Sequence, residues 1–301
     1  MKPLIITLIC VFSVFVLSLL LSFAVAGYMV HFLSFPKLVD RKECYRVDEE
    51  KGVIKEGAQY QRVDFEMVAR DGYVIHGDYV INDPKKFVIM CHGYTWSREG
   101  DLKESLGFYR SGYSLVMPDM RGQGDNKRVA VTMGYLEKRD IEDLIAWTKK
   151  EFGADIEIGL FGESMGAATV CLCSQNPDIR FVVSDCAYAE LRGLLHHQVK
   201  LNHLPVMLLP LSSLLLKISH GYFIRDIQPK EVVKGATVPM LFIHGKNDDF
   251  IPPHHCNELY DACGSKTKKM VFYSGCKHAE SSIYQQKEYT EEVITFLRAI
   301  Q

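Results

Sequence analysis

The 301-residue sequence has no excess of charge of either sign: 35 Lys and Arg stand against 37 Asp and Glu, a formal net charge of −2. It also lacks any dense Lys/Arg block with interleaved aromatic residues. Without such a field there is no electrostatic reason to expect nucleic acid as a partner. No CxxC pair occurs among its nine cysteines (Cys10, Cys44, Cys91, Cys171, Cys173, Cys186, Cys256, Cys263 and Cys276), and several of them lie inside apolar runs. An odd number at these spacings reads as buried or free thiols and not as a disulfide framework, and points to a reducing compartment. Internal repeats and low-complexity segments are missing too. What remains is ordinary globular composition, 48% hydrophobic and 24% charged.

The first long feature is apolar. After Met1, Lys2 and Pro3, no charged residue occurs from Leu4 to Val30. A helix of about 20 apolar residues spans a bilayer, so residues 1–33 are expected to form an N-terminal transmembrane anchor. A cleaved signal peptide, releasing a secreted protein, is the competing reading, because Ala24-Val25-Ala26 before Gly27 resembles a cleavage site. Against cleavage, the apolar stretch exceeds the roughly 7–15 residues of a signal core, and apolar character resumes at Tyr28-Met29-Val30. Lys37, Arg41 and Lys42 outnumber Lys2 and the amino terminus, which favours a single-pass anchor with a cytoplasmic domain.

Residues 34–60 are mixed and charged and read as a connector. About 260 residues remain outside the anchor, enough for one large α/β domain, placed over 61–301. Strand patterns (Arg62–Val68, Val74–Val80, Phe87–Cys91, Ser114–Met117, Ile156–Phe161, Phe181–Ser184, Met240–Ile243 and Lys269–Tyr273) alternate with helical ones. Eight strands with helices between them predict a mostly parallel sheet flanked by helices. Arg70-Asp71-Gly72 marks a hairpin between the first two strands. Ile141, Leu144, Ile145, Thr148 and Phe152 recur at helical spacing, as do Val293, Phe296, Leu297 and Ile300. Residues 188–229, Leu-rich and interrupted by Pro205 and Pro210, are too long for an ordinary connection and predict an inserted helical cap.

The segment Ile158-Gly159-Leu160-Phe161-Gly162-Glu163-Ser164-Met165-Gly166-Ala167-Ala168 runs from an apolar strand through Gly-x-Ser-x-Gly into a helix start. A serine hydroxyl is a weak nucleophile and must be presented to a base without crowding. A sharp strand-to-helix turn does this, and its flanking glycines permit the close backbone approach. The helix N-terminus and the N–H of Met165 then face a developing oxyanion. An inert serine in a Gly-rich turn is the bland alternative.

From here the sequence resembles the α/β-hydrolase superfamily, and within it the bacterial membrane-anchored or cytosolic hydrolases grouped with serine aminopeptidases, cinnamoyl esterases and monoacylglycerol lipases. The resemblance covers about residues 60–300. Cys91-His92-Gly93-Tyr94 matches the family's His-Gly oxyanion loop, and Pro118-Asp119-Met120-Arg121-Gly122-Gln123-Gly124 its Asp-x-Arg-Gly-x-Gly turn. Ser164 follows in the elbow, then Phe242-Ile243-His244-Gly245-Lys246-Asn247-Asp248-Asp249-Phe250-Ile251-Pro252 and Gly275-Cys276-Lys277-His278. The resemblance implies an α/β-hydrolase fold with Ser164 as nucleophile, His278 as base and Asp248 as the acid that orients it. It also implies an oxyanion hole from the backbone N–H groups of Tyr94 and Met165. Asp249 and Asp185 compete with Asp248. His92 is expected to hold its loop, the turn with Gln123 to be structural, and Cys171 and Cys173 to be packing. His254 and His255 are expected to start a surface helix. His196, His197 and His203 lack a partner set with ligand spacing, and no cofactor or metal is implied.

Such a set fits transfer of an acyl group to water, from an ester, thioester or amide. The Leu-rich cap and the membrane tether favour a small-molecule substrate with an apolar acyl group. A peptidase would call for an acidic or polar clamp on the substrate's amino terminus. A catalytically silent, membrane-anchored scaffold is the alternative outside enzymes.

Overall fold

The structure is a computed structural model that describes residues 2–300. Its first element, α1 (Lys2–Ser34), is one helix of 33 residues. It is long and apolar enough to cross a membrane, a property that signal sequences share. Residues 34–60, expected as a connector, carry α2 (Arg41–Glu50), opened by Asp40, whose side chain accepts a hydrogen bond from the N–H of Lys42. Cys44, Val53 and Ile54 of this stretch are buried.

The body alternates strand and helix as the hydrophobic pattern requires. Its elements are β1 (Val63–Val68), β2 (Val74–Val80), β3 (Asp83–Cys91), α3 (Ser105–Arg110), β4 (Tyr113–Pro118), α4 (Glu137–Phe152), β5 (Glu157–Glu163), α5 (Met165–Leu172) and β6 (Phe181–Asp185). There follow α6 (Leu191–Leu201), α7 (Leu209–His220), α8 (Pro229–Val232), β7 (Met240–Gly245), α9 (His254–Ala262), β8 (Lys268–Tyr273), α10 (Ser281–Tyr284) and α11 (Gln286–Ala299). The eight strands form one sheet in the order β1-β2-β4-β3-β5-β6-β7-β8. β2 runs antiparallel to both its neighbours, and every other pairing is parallel. The sheet is thus mixed, with a parallel majority, and each strand lies within a few residues of its expected position.

Interior strands bury both faces, so their side chains divide between two cores by the strand period of two. Phe87, Ile89 and Cys91 of β3 join the core shared with α4, α5 and α9. Val88 and Met90 join the one completed by Phe108 of α3 and by Val293, Phe296 and Leu297 of α11. In α4 the buried Ile141, Leu144, Ile145 and Thr148 form the expected stripe, and the helix stops at Gly153 with φ 125°.

β3 is the point where the strand order reverses: the chain steps outward to β4 and then returns to place β5 on the other side. The loops leaving the C-terminal ends of β3 and β5 therefore diverge and leave a crevice, the usual binding position in open α/β sheets. Ser164 stands at one lip and His92-Gly93-Tyr94 at the other. An ionic cluster fixes the second lip. Arg98, 2% exposed, pairs with Asp119 and also reaches Asp78 at 3.1 Å and Asp125 at 2.9 Å. Arg41 of α2 and Arg62 each bond Glu99 at 2.6 Å. Removing one member of a buried ion pair strands the other, at about 3–5 kcal/mol. Arg98→Ala is expected to cost that much, read as a lowered midpoint of chemical unfolding.

Candidate active site

β5 ends at Glu163, and the chain turns into α5 through Ser164, whose φ of 57° and ψ of −114° lie where side-chain-bearing residues are rare. The turn is possible because of what residues 162 and 166 lack. A Cβ on Gly162 would lie 2.3 Å from the carbonyl carbon of Gly166, and one on Gly166 would lie 1.9 Å from the carbonyl oxygen of Cys91. The glycines let α5 start directly against the ends of β5 and β3. The N–H of Ser164 donates to the Asp185 carbonyl at 2.8 Å, which locks the turn to β6.

The structure brings Ser164, His278 and Asp248 together from three separate loops. His278 lies between β8 and α10, with Nδ1 2.7 Å from Oδ2 of Asp248 and Nε2 2.8 Å from Oγ of Ser164. A proton on Nδ1 donated to the carboxylate leaves Nε2 as an acceptor, so the Ser164 hydroxyl donates to it. Asp248 follows β7, and its Oδ1 accepts the N–H groups of Phe250 at 2.9 Å and Ile251 at 2.8 Å. A second histidine stands behind it. Nε2–H of His244, a fully buried residue, donates to the Ile251 carbonyl at 2.7 Å. The same nitrogen lies 3.1 Å from Oδ2 of Asp248. Burial alone would raise the Asp248 carboxyl, but hydrogen bonds from His244 and His278 outweigh it and hold it well below the usual carboxylate range.

The rival acids lie elsewhere. Both carboxyl oxygens of Asp185 are buried without a hydrogen-bond partner, and burial pushes the group up to about 6. Asp249 has an exposed side chain, and its carbonyl accepts from Nε2–H of His197 in α6 at 2.8 Å.

Met165 opens α5, where the first N–H groups of a helix have no intrahelical acceptor. Across the crevice, the N–H of Tyr94 meets no acceptor among the described residues. Both residues line the cavity in front of Ser164. The loop carrying Tyr94 is pinned by His92, whose Nδ1–H donates to the Gly93 carbonyl and whose Nε2 accepts the Met120 N–H, both at 2.8 Å. Gln123 accepts the N–H of Thr95 at 2.5 Å.

Several charged residues close to the site escaped sequence reasoning. Glu163 turns away from the cavity onto Nζ of buried Lys103 at 2.8 Å, and Lys103 also holds Glu104 at 2.8 Å. Burial opposes the charge on Glu163, yet Lys103 outweighs it and keeps the carboxyl below its ordinary range, whereas burial pushes Glu104 up. The one available signal was an acid closing an otherwise apolar strand. His255, expected on the surface, is 1% exposed: it lies on the inner face of α9, where Nδ1 accepts the Ala189 N–H at 3.3 Å. With His254 and Glu258 it forms a group of metal-ligand type, but Glu258 already receives Lys230 at 3.2 Å. His196 and His203 are exposed. All nine cysteines are free, and all but Cys10 are buried.

A carboxyl held low in the native state adds stability that is complete above its unfolded pKa of about 3.9 and is lost as pH falls through the lower native value. Asp248→Asn should therefore melt below the wild type at pH 5, and the gap in Tm should narrow towards pH 2. A gap that widens over that interval would contradict the arrangement.

The chain shares 29% identity with the uncharacterized protein YqkD of Bacillus subtilis over 279 residues, 89% of this chain and 90% of that protein. The uncharacterized membrane protein YNL320W of Saccharomyces cerevisiae is 24% identical over 63% of each chain. Among solved structures, the Pyrococcus furiosus esterase Pf2001 superposes with a TM-score of 0.70 at 20% identity, covering 89% of this chain and 97% of that one. Residues 225–280 match the profile of the serine aminopeptidases, S33, and residues 38–207, more than half the chain, match that of the X-Pro dipeptidyl-peptidases. The chain belongs to this S15 family and is a serine hydrolase of the α/β-hydrolase superfamily.

Proposed function

We propose that the chain hydrolyses carboxylic esters through an acyl-enzyme on Ser164. His278 takes the hydroxyl proton through Nε2 as Oγ attacks the acyl carbonyl carbon, and Asp248 stabilises the imidazolium that forms. The N–H groups of Tyr94 and Met165 receive the oxyanion. On collapse the alcohol departs with the proton from His278. A water molecule, deprotonated by the same nitrogen, then attacks the acyl carbon and frees the carboxylic acid and Ser164.

One observation favours an ester over a peptide. The cavity of about 490 Å³ in front of Ser164 is lined by apolar and neutral polar side chains, with no charged residue among the described ones that form it. A peptide's ammonium group would be desolvated there without a partner, a penalty that a neutral acyl chain escapes. The S15 match favours the second reading, a peptidase, and a thioester would use the same three side chains. By the same proposal, residues 1–33 are a retained anchor, 34–60 a connector and 61–301 the hydrolase domain, with 188–229 as its cap. The excess of Lys37, Arg41 and Lys42 over Lys2 supports a cytoplasmic domain, and the likeness to a yeast membrane protein supports the anchor.

A fluorophosphonate probe should label the wild type and not Ser164→Ala; equal absence of labelling in both favours a silent scaffold. His278→Ala should lower kcat on p-nitrophenyl esters by roughly 10⁴-fold or more. Faster turnover of aminoacyl anilides than of p-nitrophenyl esters of any chain length would favour the peptidase and end the ester reading.

A further inference from the structure

The wall of the cavity includes the helix expected only to tether the protein. Tyr28, Met29, Val30, Phe32 and Leu33, the last turns of α1, line the same space as Ser164, facing Leu195 and Val199 of α6 and Leu216 of α7. The junction is built firmly. The Tyr94 hydroxyl donates to the Leu33 carbonyl at 2.7 Å, and the N–H of Val131 donates to the Ser34 carbonyl at 2.8 Å. Met29 and Ser212 of α7 meet at 3.8 Å. Without α1 the site would be open on one side.

Length places this wall relative to a bilayer. At 1.5 Å per residue α1 extends about 50 Å, whereas the hydrocarbon core is about 30 Å thick and takes about 20 residues. A span beginning near Leu4 leaves the hydrocarbon around residue 23, so Tyr28 stands about 7 Å above that boundary, at the outer edge of the headgroups, and Leu33 about 15 Å above it. Tyr28 and Phe32, 62% and 63% exposed, line the cavity and still reach the outer surface, as rim residues do. Aromatic side chains concentrate at the membrane–water interface, where Tyr28 falls. Beside them the cap exposes further apolar residues, Met207 at 83% and Ile218 at 74%. The ester carbonyls of acyl lipids lie about one headgroup layer below this wall, at the boundary between chains and headgroups.

Resting on the ester reading above, we propose that the substrate is an acyl ester lipid of the bilayer, which passes sideways along α1 to Ser164 and lays its acyl chain against Met29 and Leu33. α1 is then part of the acyl-binding site. The chemistry is that already described: the lipid's ester C–O bond breaks, its alcohol leaves protonated by His278, and water releases the fatty acid. Burying each further methylene strengthens binding roughly fourfold, so long chains should be preferred until the cavity is filled.

The test uses the full chain in phosphatidylcholine nanodiscs with two substrates, 4-methylumbelliferyl oleate dissolved in the bilayer and 4-methylumbelliferyl acetate in the water. The expected result is oleate turnover, with the oleate-to-acetate ratio of kcat/KM falling at least tenfold in Met29→Trp and in Leu195→Trp on the opposite wall. Leu20→Trp, lower on α1 and away from the cavity, keeps the wild-type ratio. Both rates come from one preparation, so a loss of folded enzyme cancels. Acetate turnover without oleate turnover, or ratios in both wall variants within twofold of wild type, overturns the lipid proposal and leaves the ester reading standing. Absence of both turnovers together with absence of fluorophosphonate labelling sinks the ester reading, and the lipid proposal with it.

Discussion

Everything at the site depends on how closely three pieces of backbone approach one another. The first turn of α5, the end of β5 and the end of β3 meet where only glycine fits, at residues 162 and 166. This contact holds Ser164 in its unusual backbone conformation and sets its hydroxyl above the sheet edge. It also opens α5 directly after Ser164, where the first N–H groups have no intrahelical acceptor. His278 and Asp248 come from loops far along the chain, yet they converge because β7 and β8 continue the parallel sheet in register beside β6. Local sterics fix Ser164, and sheet order delivers His278 and Asp248 to it.

The residues around Ser164 are sorted by polarity. Behind it, buried carboxyls meet donors: Lys103 lies between Glu163 and Glu104, and Asp248 between two histidines. In front of it the cavity wall carries no charge among the described residues. An apolar, neutral surface before Ser164 strengthens any electrostatic contact made there. These donors offset part of the cost of burying the carboxyls.

Much of this was legible in the sequence because it is carried by short patterns with a local cause. Alternation and apolar runs located the strands, and 3.6-residue periodicity located α4 and the last helix. The Gly-x-Ser-x-Gly elbow is a steric statement that can be read without coordinates. The order of the His-Gly, Asp-x-Arg-Gly-x-Gly and final histidine motifs brought in the rest through resemblance. What remained hidden depends on distance in space. His244 is quoted in its motif, but nothing local says that it backs Asp248. His255 follows prolines, and the inward turn of its helix face is set by Ala189, some 66 residues earlier. Lys103 and Glu163 pair across 60 positions. The inclusion of α1 in the cavity wall is of the same kind, since hydropathy marks a helix as apolar without saying what it touches.

The way residues 34–60 are tied down bears on how the protein is best handled in water. Arg41 contributes one of the guanidinium groups that neutralise Glu99 and Asp78 beneath the His92–Arg98 loop, and Val53 and Ile54 fill part of the second core. Shortening the chain to residue 61 would discard that cation and those side chains and unroof the cavity in one cut. A soluble form is better sought by recolouring the outward residues of the first two-thirds of α1 with polar ones, leaving its last turns and everything after them intact.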